Sequence, residues 1–417
     1  MDQQPIARLA SREACIRLGR VIPEATVATS VAPTSKAPAR PRPAPPMLAR
    51  SPLILSALRH DIHAAAVCWG LRKQGAAPVW IESWADPGMA PLSLHCDASG
   101  LRANGGPADP GVSSVWFRRP RAPESFPGAL EADLPFLRNE WGRFVNNVHA
   151  LAGELGGPLW VNSPSAAIDA ENKMVQLRAA RRAGLRFPAT LMSSDPAEIR
   201  RFVGAHQRVV YKPFQTHTWL DAASGKMFST YARIVDAEML RDDASLRQCP
   251  GIYQAVVRKR HDVRVTLIGD RAFPVRLDTP PQDDFIDWRI ASLADTMRAK
   301  PAELSTAMLA GLQRLMRELG IVFGCVDLAI DAAGDAHFLE VNQAGQFLFL
   351  EQAVPAMPML QAMCAMLAQG RTDYSPESID GVNFADYLSS DEHQHWWERV
   401  GGGIKGKDGA IPGVSVE

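Results

Sequence analysis

The pattern of apolar and polar positions divides the chain into short alternating elements. PLILSAL, from Pro52, is an apolar run of buried-strand type, and His63 to Gln74 has helical spacing that stops at Gly75. APVWIE and VSSVWFRRP read as two further strands, so an α/β unit is expected here. A helical region covers roughly 128–155. A helical segment follows, opened by Ser163-Pro164 and stopped by Gly184. Short strands are expected at VVYKP (209–213) and IYQAVV (252–257), with a polar hairpin-like stretch at 215–234 between them. DVRVTLIGDRAFPVRLD (262–278) alternates as two strands joined by Gly269-Asp270. Pro301 is expected to open a helix that places Leu304, Met308, Leu312, Leu315 and Leu319 on one face and ends at Gly320. GIVFGCVDLAID and AHFLEVNQ then form a strand pair, and the Met-rich 354–369 segment reads as a core-packing helix.

At 417 residues the chain is long enough for two or three domains. Residues 21–50 hold seven Pro and seven Ala, a composition that buries too little apolar surface to order itself. The expected organisation is an arm over 1–50, a small α/β domain over 51–160, two further subdomains over 161–255 and 256–370, and a polar, Gly-rich tail over 371–417. Lys+Arg and Asp+Glu are both 45, which argues against a nucleic-acid-coating protein. No apolar run is long enough for a membrane span, and the N-terminus has no signal-peptide pattern. The six cysteines are scattered singly, so neither a disulfide framework nor a structural zinc site is expected; the expectation is a reduced, cytoplasmic protein. GxGxxG and GxxxxGK[ST] are absent, which removes the main sequence support for a Rossmann or P-loop nucleotide site.

Chemistry is concentrated in the second half. In a strand, i and i+2 share a face, so Glu340 and Asn342 project together. A loop over 332–335 sets Asp327 opposite Glu340. Two carboxylates and an amide oxygen then converge as hard ligands suited to Mg²⁺ shared with phosphates. Asp262, Arg264 and Thr266 share one strand face, read either as solvent-facing or as a polyphosphate site in which Arg264 and Arg289 offer planar, bidentate bonds. Lys212 closes VVYK, and Lys173 opens a helix after Asn172.

The order Lys173, Lys212, IYQAVV, Asp262/Arg264, Asp327, Glu340-x-Asn342 resembles the ATP-grasp superfamily of carboxylate–amine ligases. Within it, the chain is most similar to the microviridin-type (graspetide) ribosomal-peptide maturases. The resembling segments are VWFRRP (115–120), NSPSAAIDAENK (162–173), VVYKPF (209–214), YQAVVRKRHDVRVTLIGD (253–270), DWR (287–289), GCVDLAID (324–331) and LEVNQAGQFLFLE (339–351). The resemblance covers roughly 52–370 and implies an ATP-grasp fold behind a small pre-ATP-grasp α/β domain, with 161–255 as its lid/central subdomain and 256–370 as its C-terminal catalytic subdomain. It also implies a role for each matching residue. Lys173 and Lys212 contact ATP phosphates, Gln254, Ala255, Val256 and Val257 meet the adenine, and Asp262 meets the ribose. Arg264 and Arg289 stabilise the transferred phosphoryl, and Asp327, Glu340 and Asn342 hold Mg²⁺. Gln254-Ala255 departs from the acidic residue common in such hinges.

The implied activity is ATP- and Mg²⁺-dependent, ADP-forming activation of Asp or Glu side chains of a precursor peptide, giving ester or amide macrocycles. The alternative is a ligase that adds a free amino acid to a small molecule or a protein C-terminus. A third reading, a nucleotide-binding module without chemistry, fits the acidic triad less well. The expected partner is a precursor peptide whose leader docks on 214–233 beside Trp219, Phe228 and Tyr231; no nucleic acid or membrane partner is expected, and a homodimer is left open. His217 and His261 stand near the site as candidate bases.

Overall fold

The computed structural model describes residues 51–56, 61–82, 93–98, 100–103, 106–107, 112–118, 120, 122–123, 126–150, 157–214, 218–221, 226–229, 232–278 and 297–401. They fall into two units, one built from Ser51–Ile81, Val112–Arg119 and Gly157 onward, the other from Glu82–Gly111 and Pro120–Gly156. The single domain expected over 51–160 is thus divided between them. The expected arm over 1–50 lies outside the described residues.

The larger unit begins with strand β1 (Ser51–Ser56), helix α1 (Ile62–Lys73) and β2 (Val79–Glu82). Asp61 starts α1 because its carboxylate accepts the N–H groups of His63 and Ala64, two of the orphan donors of the first turn. The smaller unit contains the meander β3 (Leu94–Asp97), β4 (Gly100–Ala103) and β5 (Gly106–Pro107). After β6 (Val112–Arg118) it continues with α2 (Leu134–Ala150), which starts later than the 128–155 region expected. In the larger unit β7 (Leu159–Val161) completes a sheet of order β2-β1-β6-β7, in which β6 pairs parallel with both β1 and β7.

The segment that opens at Ser163 forms two helices, α3 (Pro164–Glu171) and α4 (Lys173–Arg182). Asn172 divides them: extended at ψ 114°, it accepts the N–H groups of Met174 and Val175 and restarts the helix with Lys173 in its first turn. Next come β8 (Thr190–Ser193), α5 (Pro196–Ala205), β9 (Val209–Lys212), the hairpin β10 (Thr218–Asp221) and β11 (Lys226–Ser229), β12 (Arg233–Ile234), α6 (Asp243–Gln248) and β13 (Gly251–Ala255). The hairpin is a two-stranded sheet of its own with Trp219 opposite Phe228; His217 and Tyr231 lie outside the described residues. The other strands form a sheet of order β12-β9-β13-β8.

The remaining sheet carries the site. It is built from β14 (Lys259–Ile268), β15 (Arg271–Asp278), β16 (Arg298–Pro301), then, after α7 (Thr306–Leu319), β17 (Phe323–Asp331) and β18 (Ala336–Asn342), in order β16-β15-β14-β17-β18. Pro301 does not open a helix; it pairs with Val275 at the end of edge strand β16, and Ser305 caps α7 through its hydroxyl on Met308 N–H. One sheet face, with Val263, Val265, Val326 and Leu328, packs on Leu177 of α4 and Leu312, Leu315 and Leu319 of α7. The opposite face, with Val275, Leu277, Phe323 and Cys325, packs on α8 (Leu348–Ala353) and α9 (Met359–Gln369), whose Met359, Met363 and Met366 are core residues as expected.

The described part of the tail expected from 371, residues 371–401, is folded. It includes α10 (Phe384–Leu388) and α11 (Asp391–Gly401), and Tyr374, Ile379, Val382, Phe384, Tyr387 and Trp396 are buried against α1 and α9. The apolar positions are spaced too widely among polar ones to stand out as a periodic pattern. Among the described residues no helix is long and apolar enough to cross a membrane.

Candidate functional site

Antiparallel register assembles the site. Arg264 of β14 lies opposite Asp327 of β17, which lies opposite Glu340 of β18, so the three side chains form one row on one face. Asn342 joins that face two residues along, opposite Cys325. The turn through Ala332–Asp335 is as expected, with an irregularity between Asp327 and Leu328 that lets β18 take one extra residue, Leu339.

Both carboxylates already carry a cation. Lys173 Nζ donates to Glu340 Oε2 at 2.6 Å, and about a quarter of each side chain is exposed. Arg264 Nη1 donates to Asp327 Oδ1 and Oδ2 at 2.9 and 3.1 Å, and this pair is buried. Arg264 and Asp327, assigned separate roles by the sequence, are one ion pair. In a poorly solvated setting an unpaired charge on either is costly, and the pairing offsets that cost. The Asp262, Arg264, Thr266 face, open in the sequence reading to a solvent-facing role, is buried throughout.

A cavity of about 1020 Å³ lies between this sheet and the β12-β9-β13-β8 sheet. Lys212, Gln254, Ala255, Val256 and Val257 line it on one side, and Lys259, Ala329 and Leu339 on the other. Lys212 Nζ donates to Gln254 Oε1 at 2.8 Å, and Gln254 Nε2 donates to Thr190 Oγ1 at 2.9 Å. The hinge departure is thereby explained locally: a neutral amide bridges Lys212 and Thr190 and leaves the ammonium charge uncancelled by that residue. Asp262, expected at the ribose, is buried and bonded to Lys259 Nζ at 2.6 Å, and Lys259 is the member of the pair that lines the cavity. Arg276 and Asp278 pair with each other on the far face, where they and Lys300 surround His261. Burial first, and then the positive Arg276, push the His261 imidazole below its usual value. That environment turns His261 away from the carboxylate row and argues against its use as a base there. Arg289 lies outside the described residues.

The sequence reading missed several residues that hold the site in place. Arg118, buried on β6, donates through Nε to Asp61 at 2.6 Å and through Nη1 to the Ala344 carbonyl at 3.2 Å. His63 Nε2 accepts the N–H groups of Phe347 and Leu348, so its proton sits on Nδ1. Gly345 lies close beside Cys325 and Arg264: an added Cβ would stand 2.6 Å from Cys325 Sγ and 3.1 Å from Arg264 Nη2. Their only sequence signal is the run WFRRP and the glycine of NQAGQ, which carry no spacing rule of their own.

Among the described residues no three His, Cys, Asp or Glu side chains cluster as a self-sufficient metal cage. Two carboxylates with one amide oxygen instead fit Mg²⁺ that takes its remaining ligands from water and phosphate.

The architecture is the ATP-grasp fold, with a cavity between two sheets and the Arg264–Asp327–Glu340 row on one of those sheets. Solved structures with this fold include the macrocyclase MdnC of Microcystis aeruginosa bound with precursor peptide MdnA. It is 22% identical, covers 76% of this chain and 99% of its own, and has a TM-score of 0.65. A RiPP-associated ATP-grasp ligase of Chryseobacterium gregarium, in complex with ADP and a leader and core peptide, is 19% identical over 78% of this chain and 98% of its own, with a TM-score of 0.68. The ATP-grasp ligase PsnB, complexed with a precursor variant, Mg and ADP, is 22% identical over 77% and 98%, with a TM-score of 0.59. A D-alanine–D-alanine ligase of Burkholderia vietnamiensis is 37% identical over 84 residues, so this chain spans 19% of itself and about a quarter (26%) of that relative in the match. No protein-family model matches the chain.

Proposed function

We propose that this chain is an ATP- and Mg²⁺-dependent, ADP-forming ligase that activates Asp or Glu side chains of a ribosomal precursor peptide and closes ester or amide macrocycles. The observation that carries the reading is the row Arg264–Asp327–Glu340, with Asn342 and Lys173, beside a cavity large enough for a nucleotide. The peptide-bound and ADP-bound structures of the same fold support it.

A carboxylate in water does not react usefully with an alcohol or amine. Transfer of the γ-phosphoryl group of ATP to the carboxylate oxygen gives an acyl-phosphate and ADP. Attack by a Ser or Thr hydroxyl or a Lys amine then forms the ester or amide and releases phosphate. The protein's task is positioning and charge neutralisation. Lys212 and Lys173 hold the phosphates, and Gln254 to Val257 meet the adenine. Arg264, with Arg289, offsets charge on the transferred group. Asp327, Glu340 and Asn342 would hold Mg²⁺, which would supply charge stabilisation to the phosphates. The leader of the peptide docks along β10 and β11, whose two-stranded sheet offers edges for an added strand. The protein acts in the reducing cytoplasm.

The second reading, addition of a free amino acid, is favoured by the D-alanine–D-alanine ligase match alone. Incubation with ATP, Mg²⁺ and a precursor-type peptide rich in Thr, Ser, Asp and Glu separates the two. The expected result is ADP release and peptide mass loss in multiples of water, reduced in Trp219→Ala through weaker peptide binding. Mass gain by one amino acid would establish the alternative, and absence of ADP with every substrate would leave only a nucleotide-binding module.

A further inference from the structure

β18 is the outer strand of its sheet, so the backbone groups of Val341 that face away from β17 need partners from elsewhere. Gln176 supplies them. Its Oε1 accepts Val341 N–H at 3.0 Å, and its Nε2 donates to Val341 C=O at 2.9 Å and to Ala170 C=O at 2.6 Å. One amide thus meets both groups of the residue between Glu340 and Asn342, and it sits one helical turn after Lys173, the partner of Glu340. Asn162 grips the far side of Asn342. Its Nδ2 donates to the carbonyls of Gln343 and Phe323, both at 2.9 Å, and its Oδ1 accepts the N–H groups of Val322 and Phe323. Gln176 and Asn162 are each 1% exposed. No other side chain type offers two donors and an acceptor in this plane; a carboxylate of the same size would set an anion against two carbonyls.

We propose that Gln176 and Asn162 are positioning residues that fix the backbone of Glu340 and Asn342 and so tune the site toward Mg²⁺. The proposal rests on the nucleotide–metal reading of that site. Mg²⁺ demands near-ideal octahedral geometry, whereas Ca²⁺ accepts irregular sets with longer bonds. Loosening the two ligands therefore penalises Mg²⁺ more than Ca²⁺.

The test uses ADP binding by calorimetry with Mg²⁺ or Ca²⁺, together with hydrogen exchange at the Val341 amide, in wild type, Gln176→Glu and Gln176→Met. The expected result is a loss of about 10–100-fold in MgADP affinity in both variants, a smaller loss for CaADP, and faster exchange at Val341. Wild-type protein that binds no MgADP contradicts the site reading itself. Wild-type binding combined with unchanged affinity in the variants, or with equal losses for the two metals, overturns the positioning role. Should both variants fail to fold, the wild type decides: exchange at Val341 that slows when MgADP is added supports the role, and exchange unaffected by MgADP overturns it.

Discussion

Asp327 and Glu340 are neighbours in one row, but their surroundings differ, and so should the consequences of removing them. Asp327 and Arg264 are 6% and 5% exposed, so Asp327→Ala strands a buried guanidinium and should cost about 3–5 kcal/mol of stability. The Glu340–Lys173 pair is partly solvated and contributes on the order of 0–1 kcal/mol. Glu340→Gln should therefore melt close to wild type while turnover falls by at least ~10²-fold, the loss expected when one charge-stabilising ligand disappears. Parallel thermal melts and ADP-release rates check both statements. Near-normal turnover in Glu340→Gln would remove it from the site. Arg264 and Asp327 were both visible in the sequence as polar residues among apolar ones, but their bond was not. Sixty-three positions separate them, and only strand register makes them adjacent.

At the scale of elements, local rules account for much of the scaffold, and close approaches account for the rest. The β14–β15 turn needs Gly269 twice over. Its φ is +55°, and a Cβ there would lie 2.3 Å from the Thr372 carbonyl oxygen. Gly269→Ala should destabilise the protein by more than the ~1 kcal/mol of an ordinary glycine replacement, with the melting transition moving down accordingly. A transition unmoved by the change would mean that 372 does not pack on the turn. The LFLE run closing the resemblance also acts at this scale. Buried Glu351 accepts Leu360 N–H at 2.6 Å and Phe384 N–H at 2.8 Å, tying the start of α9 to the start of α10. That carboxylate holds the folded 371–401 segment against α9.

Over the larger unit as a whole, two imidazoles are held neutral by burial, His261 on β14 and His393 on α11. Each has a folded pKa below its unfolded value near 6.5, so the unfolded chain takes up protons first as pH falls. Their effect is absent at neutral pH and destabilises the fold progressively below about 6.5, until the folded pKa is passed. Glu351, raised by burial, acts in the opposite sense above the ordinary carboxyl range. The difference between variants therefore isolates the histidines: the double substitution His261→Gln, His393→Gln should shrink the drop in Tm between pH 7.5 and pH 5.5. An undiminished drop would show that neither group is linked to folding.

What the sequence determined by itself was local and periodic. Alternation set the strands of the five-stranded sheet, caps and glycines ended the helices, and i, i+2 spacing put Glu340 and Asn342 on one face. Those signals survive because they depend on neighbours within a few residues. Only the tertiary structure decided that Lys173 answers Glu340 and Arg264 answers Asp327, that Pro301 ends a strand, that the chain past 371 folds back, and that Gln176 and Asn162 brace the end of β18. Each is a contact between distant segments, formed because buried polar groups must find partners and apolar ones must leave water. No window of sequence contains both halves of such a contact.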